Sequence, residues 1–136
     1  TGVQLEIGSV ATPFEHRTVG EELARCSRYY HRIDAPNLSY FGVGNIDGGN
    51  EAQIFVPFTH EMRVSPSSLE TSGTASHYSI RVRGNATGTS IPAIAQKTTK
   101  NSMVIFHASS HGFTDGQACF GRSASNDAFL GFSAEL

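Results

Sequence analysis

The chain has 136 residues, a formal charge of −2 and a pI near 6.3. That length suits one domain with a real core, and the charge provides no basic field for gathering nucleic acid. A hydrophobic content of 38%, with nine Phe and four Tyr, excludes an intrinsically disordered chain. No apolar run approaches the roughly 20 residues of a membrane-spanning helix, so no membrane insertion is expected.

In chain order, the first element is a short alternating strand, with Val3, Leu5 and Ile7 on one face and Gln4 and Glu6 on the other. It runs into a Pro-broken turn at Ala11-Thr12-Pro13-Phe14. Residue 1 is Thr, and the opening lacks the charged and apolar regions of a signal peptide, which leaves a processed or excised C-terminal piece as an open reading. Thr18-Val19-Gly20-Glu21 reads as a capping box, the Thr hydroxyl accepting from a first-turn N–H while Glu21 reaches back to the Thr18 backbone. A helix is predicted over 18–33, stopped by Pro36. Val19, Leu23, Cys26, Tyr30 and Ile33 recur at 4-3-4-3 spacing and paint one narrow stripe. Glu21 and Glu22 suit the positive end of the helix dipole; Arg28, His31 and Arg32 suit the negative end. Of the ten Lys and Arg residues, four lie between 17 and 32, read as a solvated face rather than a phosphate-binding one. The stripe is expected to pack on the domain's own sheet or on a neighbouring subunit's, with a threefold coiled seam as the alternative.

After residue 38 the period becomes two. Ala52, Ile54, Val56, Phe58 and Met62 alternate with Gln53, Thr59, Glu61 and Arg63, the pattern of a strand with one buried face. Tyr78, Ile80 and Val82 alternate with His77, Ser79, Arg81 and Arg83. Residues 103–107 are apolar on both faces, as in a central strand or one covered by another subunit. Ala128, Leu130, Phe132 and Ala134 form a closing strand. Turn chemistry falls at Asp47-Gly48-Gly49-Asn50, Glu70-Thr71-Ser72-Gly73, Gly84-Asn85-Ala86-Thr87-Gly88 and Thr114-Asp115-Gly116. Short strands separated by turns predict an all-β chain with one helix: an antiparallel, jelly-roll-like β-sandwich preceded by an N-terminal strand and a capped helix.

Several segments carry a family resemblance. Gln4-Leu5-Glu6, Gly8 and Ala11-Thr12-Pro13-Phe14-Glu15 match a "QLE-x-G-x-x-ATPFE" strand, and Arg28-Tyr29-Tyr30 matches a helix ending in "RYY". Met62-Arg63-Val64-Ser65-Pro66 matches "MR-x-x-P", Gly112-Phe113-Thr114-Asp115-Gly116-Gln117-Ala118 resembles "GLTAGQA" with Phe113 and Asp115 differing, and Ser133-Ala134-Glu135-Leu136 matches "SAEL". In these landmarks, spread over nearly the whole chain, it resembles the C-terminal module of bacteriophage tail-fibre and related virion appendage proteins. The segment 34–50 departs from the pattern. The resemblance implies that residues 1–17 are a strand and linker left from an upstream jelly roll, and that 18–136 are the helix and terminal sandwich. It also implies a homotrimer, located in the virion after assembly in the host cytoplasm, with other virion proteins as partners.

Catalytic chemistry is not legible. His107, His111 and Asp115 recur every four residues, but Ser109-Ser110 and Gly112 break the strand between the histidines, so structural or surface histidines are expected rather than a metal site. Ser109-Ser110-His111 is not a nucleophile elbow. Asp34, Asp47 and Glu51 fall near one loop as a conceivable glycosidase pair, read instead as solvated acids. Cys26 and Cys119 are expected as two buried thiols. No cofactor and no enzymatic activity are expected. Sugar binding needs an exposed ring and nearby amide or carboxylate groups, and the loop-rich segment 37–50 holds these types in Tyr40, Asn45 and Asp47. The expectation is a non-catalytic appendage tip that attaches to a host-surface glycan. The alternative is a purely structural virion part, such as a head fibre, decoration or assembly module, without a ligand of its own.

Overall fold

A computed structural model describes residues 7–10, 13, 16–48, 51–95, 98–108 and 113–134, without the side chains of Met103, Val104, Phe106 and Ala108. The expected strand at 3–7, the turn at Ala11-Thr12-Pro13-Phe14, and Ser109, Ser110 and His111 rest on residues outside that set.

The helix α1 spans Val19–Ser27, and its start follows the capping box. Glu21 N–H donates to Thr18 Oγ1 at 3.3 Å, and Thr18 N–H donates to Glu21 Oε2 at 2.8 Å. These bonds from Thr18, backbone first and then hydroxyl, hold the Glu21 carboxyl below its ordinary range. The far end differs from the expectation. The helix closes at Arg28, and Tyr30–Asp34 leave it as strand β1, so Tyr30 and Ile33 do not belong to a helical stripe. The run Tyr29-Tyr30-His31-Arg32-Ile33 is aromatic and β-branched, which suits a pleated strand. Five register pairs with β10 (Phe129–Ser133), Tyr30↔Ser133 through Asp34↔Phe129, then satisfy its backbone. What remains of the stripe is exposed: no helix residue is buried, Val19 and Leu23 are 78% and 62% accessible, and Cys26 is exposed rather than the buried thiol expected.

Among the described residues, ten strands form two antiparallel sheets. The smaller has the order β1-β10-β4, with β4 at Ser68–Thr71. The larger comprises β2 (Tyr40–Asp47), β3 (Glu51–Pro57), β5 (Tyr78–Val82), β6 (Asn85–Gly88), β7 (Ala93–Ile94), β8 (Ser102–Ala108) and β9 (Ala118–Ser123). Its order is β6-β5-β9-β2-β3-β8-β7. The fold is therefore the antiparallel β-sandwich with one helix that the alternating pattern predicts. Two segments differ in detail. Residues 40–47, expected within a loop-rich stretch, are a central strand, because Phe41 and Ile46 have core positions to fill and β3 and β9 flank both edges. Asn85-Ala86-Thr87-Gly88, expected as turn, is strand β6. The reversal is made by Arg83 and Gly84 alone, both with positive φ, of 49° and 89°.

The core lies between the sheets. Ala52, Ile54 and Val56 of β3, Tyr78, Ile80 and Val82 of β5, and Ala128, Leu130, Phe132 and Ala134 in and around β10 are all buried, in the alternation read from the sequence. Met62 is buried from a loop beyond β3 rather than from the strand itself. Phe58 stacks on Phe132 at 5.1 Å, and the buried Tyr78 ties the layers by donating its hydroxyl to Phe129 O at 2.8 Å. Ile54 sits where two facing glycines leave room: a Cβ at Gly42 or Gly121 would each approach its Cγ2 to 3.1 Å. On β8, Ile105 and His107 face inward and are fully buried; the outer side chains of that strand lie outside the description.

Candidate functional site

The outer face of the large sheet is built by strand alternation. Register places Val43 beside Phe120 on one side and Phe55 on the other, with Arg81 next to Phe120. Register partners in antiparallel strands share a face, so these residues form one row across β5, β9, β2 and β3. Phe120, Val43 and Phe55 are 45%, 52% and 46% accessible, an apolar row turned to solvent. A register shift between Tyr40 and Gly42 lets Tyr40 face outward while the adjacent Phe41 is buried. The Tyr40 ring packs on Phe120 with centroids 5.1 Å apart and planes tilted by 47°. Its hydroxyl accepts from Arg81 Nη1 at 2.6 Å.

Polar rows flank this strip on both sides. Toward one end lie Arg122 and Ser79, with Arg122 Nε donating to Ser79 Oγ at 3.1 Å. Toward the other, Ala118, Asn45 and Gln53 are register neighbours, and beyond them Asp47 pairs with Glu51. Gln53 Nε2 donates to Asp47 Oδ2 at 2.5 Å, orienting that carboxylate along the face. Arg81, Arg122, Asp47 and Glu51 form no ion pair among the described residues. The face is thus basic at one end, apolar in the middle, and amide-rich then acidic at the other.

The three residues singled out in the sequence fall together on this surface. Tyr40, Asn45 and Asp47 share the outer side of β2, with Val43 between them, on a strand rather than a loop. Val43, Phe55, Phe120 and Arg81 were not identified from the sequence. The single alternation at Val43-Gly44-Asn45 was a signal for them, but which strands flank β2 is a long-range fact. Asp34 is not part of the arrangement: it lies on β1 and pairs with Arg32 at 2.8 Å. His107 is a core residue. Its Nδ1 lies 3.1 Å from Thr89 Oγ1, its Nε2 has no partner among the described residues, and burial pulls its pKa down to about 4. Burial likewise pushes the Cys119 thiol up to about 11. Among the described residues no group of three His, Cys, Asp or Glu could hold a metal ion, and no helix is long and apolar enough to cross a membrane.

An exposed aromatic platform with amide, carboxylate and guanidinium groups in adjacent rows can stack on an apolar ring face and hydrogen-bond the groups around its edge. Comparison with protein-family models, with curated proteins and with solved structures finds no match to this chain.

Proposed function

We propose that the protein is a non-catalytic virion appendage domain that attaches to a host-surface polysaccharide through the outer face of its large sheet. The observation that carries this reading is the Tyr40–Phe120 pair, exposed beside Val43 and Phe55 and bordered by Asn45, Gln53 and Asp47. Pyranose rings present apolar C–H faces and polar edges, and this surface offers the complement of both. Each contact is weak. Three copies in a homotrimer acting on a repetitive polymer would raise the overall avidity by about 10²–10⁴ when geometry permits simultaneous engagement. The tail-fibre-like sequence landmarks support the virion setting, with other virion proteins as neighbours.

A structural virion role without a ligand is the second reading, favoured by Val43 and Phe55, which expose apolar side chains with no polar tip and would suit burial against a neighbouring chain. An array of bacterial surface polysaccharides separates the two. Tyr40→Ala should weaken binding by about tenfold, the loss of roughly 1–2 kcal/mol of ring stacking, with an unchanged melting temperature. Absence of binding to any polysaccharide by the wild-type oligomer would leave the structural role standing.

A further inference from the structure

The platform ends in a groove between two tight turns, Arg83–Gly84 joining β5 to β6 and the reversal at Asp115–Gly116 that leads into β9. Arg83, Thr114, Asp115, Gly116, Gln117 and Ala118 line a volume of about 590 Å³. A contiguous recess of about 210 Å³ adds Asn85 and Phe113. The larger volume is within the range of roughly 300–1,000 Å³ common to small-molecule sites. Ala118 belongs to both surfaces, being the register neighbour of Asn45, so the groove continues the platform.

Two features mark the groove as more than the gap between loops. Among the described residues, its polar groups keep bonding capacity beyond their internal bonds. Asp115 Oδ1 accepts from Gly48 N and Gly116 N, both at 3.0 Å, and its second oxygen has no partner among the described residues. Gln117 Oε1 accepts from Thr114 N at 3.2 Å, and its amide hydrogens and the Thr114 hydroxyl have no partner among the described residues. The Arg83 guanidinium and the Asn85 amide also make no hydrogen bond with described residues. The second feature is Arg83 itself. A two-residue hairpin turn with positive φ at both positions favours Asn-Gly or Gly-Gly, yet an arginine is held there at φ 49°. Non-glycine residues in this region carry strain, and such strain concentrates at ligand sites.

We infer that this groove is a recognition subsite for an uncharged, hydroxyl-rich sugar ring, an inference that rests on the glycan reading of the adjoining face. One guanidinium and one carboxylate line it, so the formal charge cancels while strong donors and a strong acceptor both remain. A sugar hydroxyl donates and accepts at the same atom, and neighbouring hydroxyls can bridge Arg83 to Asp115. An anionic sugar would meet Asp115, and a cationic one Arg83.

The test is two-dimensional NMR of the intact chain titrated with methyl glucopyranoside, galactopyranoside and mannopyranoside, and with glucuronate as the charged control. Saturable shifts at Arg83, Asp115 and Gln117 are expected for at least one uncharged glycoside, with glucuronate weaker. Arg83→Gly keeps the turn and relieves its backbone, so the melting temperature should hold or rise while affinity falls about tenfold or more. Asp115→Asn retains the Oδ1 bonds and should also lose affinity. Shifts confined to Tyr40, Val43 and Phe120 would overturn the groove and leave the platform reading intact. Groove shifts that persist in Phe120→Ala, with no shift at the platform, would support the groove and defeat the platform. No shift at either surface, tighter binding of glucuronate, or undiminished affinity in Arg83→Gly overturns the inference.

Discussion

His107 is neutral in a sealed environment, and that gives a sharp pH signature. Its folded pKa is about 4 against an ordinary 6.5, the gap arising from burial. Below pH 6.5 the unfolded chain gains a proton at this site while the folded chain does not. Stability is therefore unaffected by this group at neutral pH, falls as pH drops through 6.5, and levels off near 4. The full gap has a ceiling of about 3–4 kcal/mol at about 1.4 kcal/mol per pKa unit. His31, also held low by desolvation and then by His60, acts in the same direction. Replacing His107 with Leu removes the orphaned Nε2 at the cost of the Thr89 bond, so stability at pH 7 should change by no more than about 1–2 kcal/mol in either sense. Urea denaturation should show a shallower loss between pH 6.5 and 4 for His107→Leu than for wild type. Parallel losses in the two proteins would mean that the folded site takes up a proton readily. The broken spacing before His111 left His107 as a structural or a surface histidine, and it is a buried, structural one. Its burial was not legible, because Thr89 is its hydrogen-bonding neighbour only through tertiary packing.

At the scale of elements, local chemistry was more legible than partnership. The capping box sets the helix start because it is made within four residues. The helix end was misplaced because the 4-3-4-3 stripe runs on into Tyr30 and Ile33, while the pairing that claims them is with β10, about a hundred residues away. Alternation likewise identified the buried faces of β3, β5 and β10 but could not assign β2, whose glycines interrupt the pattern. Those glycines have a packing cause: a Cβ at Gly44 would overlap the Gln53 carbonyl on the neighbouring strand of the same sheet, so β2 and β3 can pair here only without one. The shortened helix leads to a specific expectation for Leu23→Asp. Leu23 is mostly accessible, so within a single chain the charge should change stability by no more than about 0.5 kcal/mol, the usual range for a surface site. If a neighbouring copy covers α1, the same substitution should dissociate the oligomer. Thermal melts combined with light scattering separate these effects, and a large loss of monomer stability would show that Leu23 packs within its own chain.

At the scale of the whole molecule, the proposed function depends on assembly. Among the described residues, two apolar surfaces are turned outward: Val19 and Leu23 on α1, and Phe120, Val43 and Phe55 on the large sheet. They differ in their surroundings. The helix surface is flanked by charges engaged with one another, such as Arg17–Glu22 at 3.0 Å, whereas the sheet surface is bordered by Arg81, Arg122, Asp47 and Glu51, which form no ion pair among the described residues. A homotrimer held through the helix side would leave the sheet faces open, each available to a separate segment of a repetitive polymer. Light scattering at micromolar concentration should give a mass of three chains. Attachment should be far tighter for the trimer than for a Leu23→Asp monomer, by about a hundredfold or more if the spacing allows two or three sites to engage together. Tyr40→Ala should instead weaken binding per site and leave the mass unchanged. A wild-type monomer that attaches as firmly as any oligomer would remove the avidity argument. A trimer whose sheet faces are protected from amide exchange relative to the Leu23→Asp monomer would place the interface on the platform, and Phe120 and Val43 would then be contacts between copies.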